Sequence, residues 1–129
     1  MISKSTKIES KSTDKSSCIK ASLKGLMISD KKVRVIANII RGKMVNNALS
    51  LLLIQQKSSA APLYKLLQSA KANAIYKKLD SDNLMVKTIY VDKGKVYKRV
   101  FPRSQGRVNY IKRRSSHITI YLAETNITN

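Results

Sequence analysis

Apolar residues recur along this chain with two different periods, and the change from one to the other divides it into elements. After Ser29, the residues Val33, Ile36, Ala37 and Ile40 fall three and four apart, the spacing that lines one face of an α-helix. Ser29 stands in the N-cap position and Gly42 in the C-terminal capping position, so a helix of about three turns is expected between them. Its outer face carries Lys31, Lys32, Arg34 and Arg41. A second helix is expected from about Val45 to Gln55, with Ala48, Leu49, Leu52 and Leu53 inward. A short polar break at Lys57 to Ala61 leads into a third helix, from about Ser59 to Lys78, in which Leu63, Leu66, Leu67, Ala70 and Ala74 hold the helical period. Pro62 suits the first turn, where a backbone N–H has no partner to lose. Ser69, Ala70, Ala72 and Ala74 permit close approach of another element, and Asn73 reads as a structural amide bonded to a neighbour, with an RNA contact as the alternative.

Elsewhere the signals are those of strands. Cys18 to Ile28 carries a weak strand signal in Ile19, Leu23 and Leu26, and Leu84 to Val91 a stronger one in its β-branched and aromatic residues. Ser116 to Leu122 alternates fully, with Ile118, Ile120 and Leu122 on one face and His117, Thr119 and Tyr121 on the other. Asp80, Ser81, Asp82 and Asn83 form a turn; the Asp-x-Asp spacing is a poor metal site because no third acid or histidine lies close in sequence. The last two strands pair most simply antiparallel, which makes residues 92–115 a hairpin extension. Arms of about eleven residues reach about 35 Å at 3.3 Å per residue, beyond the roughly 13 Å radius of gyration of a small domain. Pro102 to Gly106 should form the tip, since neither Pro nor Gly suits a central strand. An isolated two-stranded ribbon is barely stable in water, so the arm is expected to order only when packed in folded nucleic acid.

Charge gives that extension its meaning. Between Lys93 and Arg114 stand nine cations, Lys93, Lys95, Lys98, Arg99, Arg103, Arg107, Lys112, Arg113 and Arg114, and no carboxylate. Tyr97, Phe101 and Tyr110 are threaded among them, and Gln105 sits at the tip. Unpaired charges of this density stay out of a protein interior, so a partner must supply the counter-charge. Guanidinium forks bond phosphates, and rings and Arg planes stack on unpaired bases, which points to nucleic acid, with a solvated loop or an acidic-protein binder as the alternatives. The whole chain repeats the balance, with 26 Lys and Arg against 7 Asp and Glu for a net charge of +19 over 129 residues.

Three further observations narrow the class. Cys18 is the only cysteine, which excludes an internal disulfide and a multi-cysteine zinc site. The longest apolar run, Leu51 to Ile54, is far too short to cross a bilayer, so no membrane partner is expected. With scattered acids, one Cys and one His, neither clustered carboxylates for metal-dependent phosphoryl chemistry nor a partnered nucleophile is present, so no catalytic residue, metal or cofactor is assigned. His117 reads as packed against the sheet or touching RNA. Residues 1–20 read as a mobile Ser/Lys-rich tail, 21–124 as one domain and 125–129 as a C-terminal tail. A general nucleic-acid-binding architectural protein is the main rival to a specific RNA binder.

The string Lys98-Arg99-Val100-Phe101-Pro102-Arg103-Ser104-Gln105-Gly106-Arg107, followed by Ile111-Lys112-Arg113 and Ser116-His117-Ile118-Thr119-Ile120, closely resembles the twenty-second protein family of the bacterial-type large ribosomal subunit. Ser29 with Lys32-Val33-Arg34, Ile40-Arg41-Gly42-Lys43, Ser69-Ala70 and Asn73-Ala74 agree in order and spacing, so the likeness covers roughly Ala21 to Glu124. Asp30 departs from the usual Pro after the capping Ser, and Ser104 from the usual Ala at the tip. The resemblance implies an α+β body of three helices on a small antiparallel sheet, with the hairpin penetrating large-subunit (23S-type) rRNA. It implies that Pro102, Arg103, Ser104, Gln105 and Gly106 help form the wall of the nascent-polypeptide exit tunnel, opposite the fourth large-subunit protein. Carried over residue by residue, the RNA-contacting set adds Lys43 to the cations and aromatics already named. The ribosome would be that of a bacterium, a plastid or another organelle.

Overall fold

Strand β3 (Val108–Glu124) is the centre of a three-stranded antiparallel sheet, flanked by β1 (Ile19–Leu26) on one side and β2 (Leu84–Pro102) on the other. The computed structural model describes residues 18–125, so the tail expected at 1–20 and the C-terminal tail lie almost wholly outside the described residues. Residues directly opposite each other in an antiparallel pair share a face. The register sets Ile19 and Val86 against Leu122, Ala21 and Ile89 against Ile120, and Val91 against Ile118. One face is therefore apolar across all three strands, and Ile118, Ile120 and Leu122 have no exposed surface.

Three helices cover that face: α1 (Asp30–Ile40), α2 (Val45–Ile54) and α3 (Ala60–Tyr76). The apolar positions read from the sequence in α1 and α3 are all buried, each large side chain contributing about 1.5–3 kcal/mol. Helix α2 corrects one expectation. It buries Val45, Ala48 and Leu52 and half-buries Leu49, but Leu53 is 69% exposed and Ile54 lies outward with it. Only one face of α2 meets the other elements, and Leu53 sits about 100° round the axis from Leu52. Asn73 likewise is not a buried structural amide; it lies on the exposed side of α3.

The start of α1 also differs from its sequence reading. Ser29 occupies the N-cap position with extended backbone, and its carbonyl accepts from Lys32 and Val33, but its hydroxyl makes no capping bond. The buried carboxylate of Asp30 stands in the first turn instead, where the helix dipole favours negative charge, and pairs with Arg34 at 3.4 Å. At the far end Gly42 takes a left-handed φ of +73° as the capping position requires. The chain leaving α1 then lies along the outer edge of β2: Gly42 donates to the Val86 carbonyl and Val86 to the Lys43 carbonyl, both at 2.9 Å. Part of an edge that would otherwise template pairing with another chain is closed in this way.

Among the described residues, the opposite face of the sheet carries no helix. Along it lie Lys20 and Ser22 of β1, Thr88 and Tyr90 of β2, and His117, Thr119 and Tyr121 of β3, all exposed or half-buried. The register of β1 shifts between Leu23 and Leu26, at Gly25 with φ +73°. The Gly25 N–H freed there donates to Nδ1 of His117 at 2.9 Å, so the neutral imidazole keeps its proton on Nε2.

Candidate nucleic-acid interface

Beyond Lys93 on β2 and before Ser116 on β3 the two strands leave the body as a ribbon, paired without a break from Val96 opposite Arg114 to Pro102 opposite Val108. Every residue from Lys95 to Arg114 is exposed. That includes Val96, Tyr97, Val100, Phe101, Val108, Tyr110 and Ile111, so apolar and aromatic surface faces outward beside the cations. The expected hairpin is thus present, and none of the described residues covers either of its faces.

Pairing shows what the ribbon lacks. Lys98 lies directly opposite Lys112, and directly opposed like charges destabilise a ribbon by a few tenths of a kcal/mol to about 1 kcal/mol. The arm itself carries no carboxylate to relieve them, and Asp30, across the cleft that both lysines line, is paired with Arg34. An anion from outside removes this repulsion and is attracted by both ammonium groups.

At the tip, residues Ser104–Gly106 make a tight turn in which the Arg107 N–H donates to the Ser104 carbonyl at 3.4 Å, and a 2.8 Å bond from the Arg103 N–H to the Arg107 carbonyl closes the loop beneath it. Gln105 (φ 59°) and Gly106 (φ +66°) are both left-handed; glycine adopts this freely and glutamine at about 1 kcal/mol or more. The tip's side chains are thereby held at the ribbon's end, exposed, with none of the described residues packed over them. Two aromatics of the arm each carry a cation, Lys95 Nζ lying 5.5 Å from the Tyr97 ring centre and the Arg103 guanidinium 5.7 Å from that of Phe101. A ring beside a cation offers a stacking plane and a phosphate contact together.

The root of the arm was not legible as a hinge. Register shifts between Lys93 and Val96, a bulge that re-aims the ribbon relative to the sheet. Gly94 sits so close to Ser115 that a Cβ would lie 3.0 Å from the Ser115 carbonyl carbon, and Ser115 Oγ donates to the Lys95 carbonyl at 2.7 Å. An isolated glycine inside a strand pattern is the signal that marks such a place. Two clefts open here. One, of about 380 Å³, sets Asp30 among Lys93, Lys98, Lys112 and Arg114. The other, of about 640 Å³, joins Lys32 of α1 to Arg99, Lys112, Arg113 and Arg114 of the arm, with no acid in its wall.

Not every expected contact residue gathers there. Arg34 and Arg41 turn to the edge of β2, where Arg34 Nη2 donates to the Val91 carbonyl at 3.0 Å and Arg41 Nη2 to the Ile89 carbonyl at 3.1 Å. They complete the edge closure begun by Gly42 and Lys43, so each holds α1 against the sheet whatever else it touches. Lys31 and Lys43 remain exposed on α1 and in the turn after it, apart from both clefts. Among the described residues no group of three or more His, Cys, Asp or Glu side chains comes together as a metal site would require, and no helix is long and apolar enough to cross a membrane.

The family described as "Ribosomal protein L22p/L17e" matches residues 21–123. "Large ribosomal subunit protein uL22" of Bdellovibrio bacteriovorus is 46% identical over 107 residues, covering 82% of this chain and 97% of that protein. The protein of the same name from Desulfitobacterium hafniense is 45% identical over 106 residues, 81% of this chain and 93% of its own. That of Deinococcus radiodurans is 46% identical over 102 residues, 78% of this chain and 76% of its own.

Proposed function

We propose, from the premise that this chain belongs to the ribosomal protein L22p/L17e family, that it is a structural, non-enzymatic constituent of the large ribosomal subunit and holds large-subunit rRNA through its arm. One observation supports the RNA reading above the rest: a ribbon with cations and aromatics exposed on both faces, two lysines directly opposed, and no acid between Lys93 and Arg114. Such a ribbon is completed by a polyanion that surrounds it. Lys32, Lys93, Lys95, Lys98, Arg99, Arg103, Arg107, Lys112, Arg113 and Arg114 neutralise phosphates where RNA strands crowd together, and Tyr97, Phe101 and Tyr110 fill gaps beside unstacked bases. Shape dominates over base readout, because a ribbon exposed on both faces meets RNA backbone on either side.

The tip, Pro102 to Gly106, lines the nascent-polypeptide tunnel opposite the fourth large-subunit protein, as the family resemblance implies. In support, the tip lies beyond seven consecutive paired positions, about 23 Å from the bulge at 3.3 Å per residue, and none of the described residues covers it. The ribosome is of bacterial type, as the bacterial relatives suggest, in a bacterium, a plastid or another organelle. Assembly of the subunit is aided by a chain whose cations run from Lys31 to Arg114 and so bridge several RNA segments.

The test compares binding to large-subunit rRNA and to duplex DNA at physiological salt. Tighter rRNA binding, with a log–log salt slope that falls by about 0.7–0.9 for each of Arg103→Ala and Arg107→Ala, is expected. Equal affinity for the two nucleic acids identifies a general architectural binder instead.

A further inference from the structure

The helix-free face of the sheet continues into one face of the arm. Strand β3 has no bulge on its own side, so its odd-numbered residues from Asn109 to Tyr121 share a face throughout. Their partners place Tyr90, opposite Thr119, and then Tyr97 and Phe101, opposite Arg113 and Asn109, on that same face. Four aromatics therefore follow one another along a single surface, from Tyr121 and Tyr90 on the body to Tyr97 and Phe101 on the arm. Three of the four carry a cation: Lys20 Nζ lies 6.0 Å from the Tyr121 ring centre, matching the Lys95–Tyr97 and Arg103–Phe101 pairs. Tyr90 is 55% exposed and meets Tyr121 edge to face, ring centres 6.0 Å apart, which leaves a ring face of the pair open.

We infer that the open sheet face, centred on Tyr90 and Tyr121 with Lys20, is a second RNA-contact site that stacks unpaired nucleotides of the same RNA the arm enters. The proposal rests on the reading of the chain as an rRNA binder and extends it to residues outside the arm and α1. An unstacked base lies on Tyr90 or Tyr121, and Lys20 takes the adjoining phosphate. The Ser22, Thr88 and Thr119 side chains beside them are small and leave room for a base while offering hydroxyls to its edge. Charge complementarity selects this occupant: Asp92, opposite His117, is an acid on the face between Tyr90 and the arm, but Lys20 stands at one end and the acid-free arm at the other, so on a chain of net charge +19 an RNA strand passing along it meets cations at both ends.

The test measures binding of the full chain to large-subunit rRNA, with an unstructured oligoribonucleotide and a blunt RNA duplex as competitors. Tyr90→Ala and Tyr121→Ala are each expected to weaken rRNA binding about tenfold with an unchanged salt slope, because loss of stacking releases no counterions. Lys20→Ala should reduce the slope by about 0.7. Tyr90→Phe keeps the ring and should bind like the parent, and the oligoribonucleotide should compete better against the parent than against Tyr90→Ala. Thermal unfolding confirms that each variant folds, as the exposure of Tyr90 leads one to expect. If Tyr90→Ala and Tyr121→Ala bind rRNA like the parent while Arg103→Ala still weakens binding, the inference fails and the proposed function stands. Equal loss in Tyr90→Phe and Tyr90→Ala also overturns it, since a hydroxyl contact and not stacking is then at work. If the parent chain itself does not bind rRNA, the proposed function falls first.

Discussion

Replacing Gly94 with alanine probes the joint on which the arm's direction depends. The added Cβ would meet Ser115 Oγ well inside van der Waals contact, with the Ser115 carbonyl carbon at 3.0 Å and its oxygen at 3.1 Å. The hydroxyl is the part that can move, but it is engaged in the 2.7 Å bond to the Lys95 carbonyl. Moving it forfeits about 0.5–1.5 kcal/mol and leaves a part-buried carbonyl unpaired. The backbone contacts require the two strands to separate by a few tenths of an ångström, so the total is about 1–3 kcal/mol. Urea unfolding of Gly94→Ala, Ser115→Ala and the double variant measures this directly. In the double variant Oγ is gone, so the two losses should be less than additive by about 0.5–1.5 kcal/mol. Hydrogen exchange should also speed up at Lys95 and Val96 in Gly94→Ala. A variant within about 0.3 kcal/mol of the parent, additive with Ser115→Ala and with unaltered exchange, would refute the reasoning that a close-packed bulge sets the arm.

Other perturbations separate the parts of the account. Lys98→Glu places a carboxylate opposite Lys112, so it should stabilise the free ribbon by about 0.2–1 kcal/mol yet weaken rRNA binding, read by arm hydrogen exchange and a binding titration. Arg41→Ala removes a charged donor from the Ile89 carbonyl and should lower unfolding stability by about 1.5–3 kcal/mol, a loss that persists with no RNA present. Gly106→Ala should cost about 1 kcal/mol through its left-handed backbone and nothing through contact, since open space surrounds the site; a loss several times larger would show an unrecognised neighbour. Leu67→Ala, at the fully buried centre of α3, should lose about 2–5 kcal/mol of global stability in urea unfolding.

Much of this molecule was legible in the order of its side chains, because burial enforces periodicity. Ile118, Ile120 and Leu122 alternate with His117, Thr119 and Tyr121 because the sheet has helices on one face only, and Leu63, Leu66 and Leu67 hold a helical period because α3 lies over that face. The tip was legible from Pro102 and Gly106, whose backbone preferences are local. Leu53 misled because hydrophobicity alone does not tell which of two adjacent leucines the neighbouring elements reach. Arg34 and Arg41 stand in sequence only as cations on the outer face of the first helix; the placement of α1 along β2 reveals their bonds to Val91 and Ile89. Ser29 held its position at the start of α1 without its capping bond, because Asp30 answers the dipole one residue later. The bulge at Gly94 depends on a contact with Ser115 across the ribbon, which no window of sequence contains.

The central claim is that folded large-subunit RNA encloses the arm. Its most direct test is a zero-length or short-range crosslinker placed singly at Arg103 and at Arg113 in large subunits assembled with this chain, the products identified by sequencing the attached RNA. Crosslinks from both positions to large-subunit rRNA, insensitive to added duplex DNA, are the predicted result. An arm that crosslinks to no rRNA and stays open to a solvent-borne modifying reagent in the assembled subunit would contradict it.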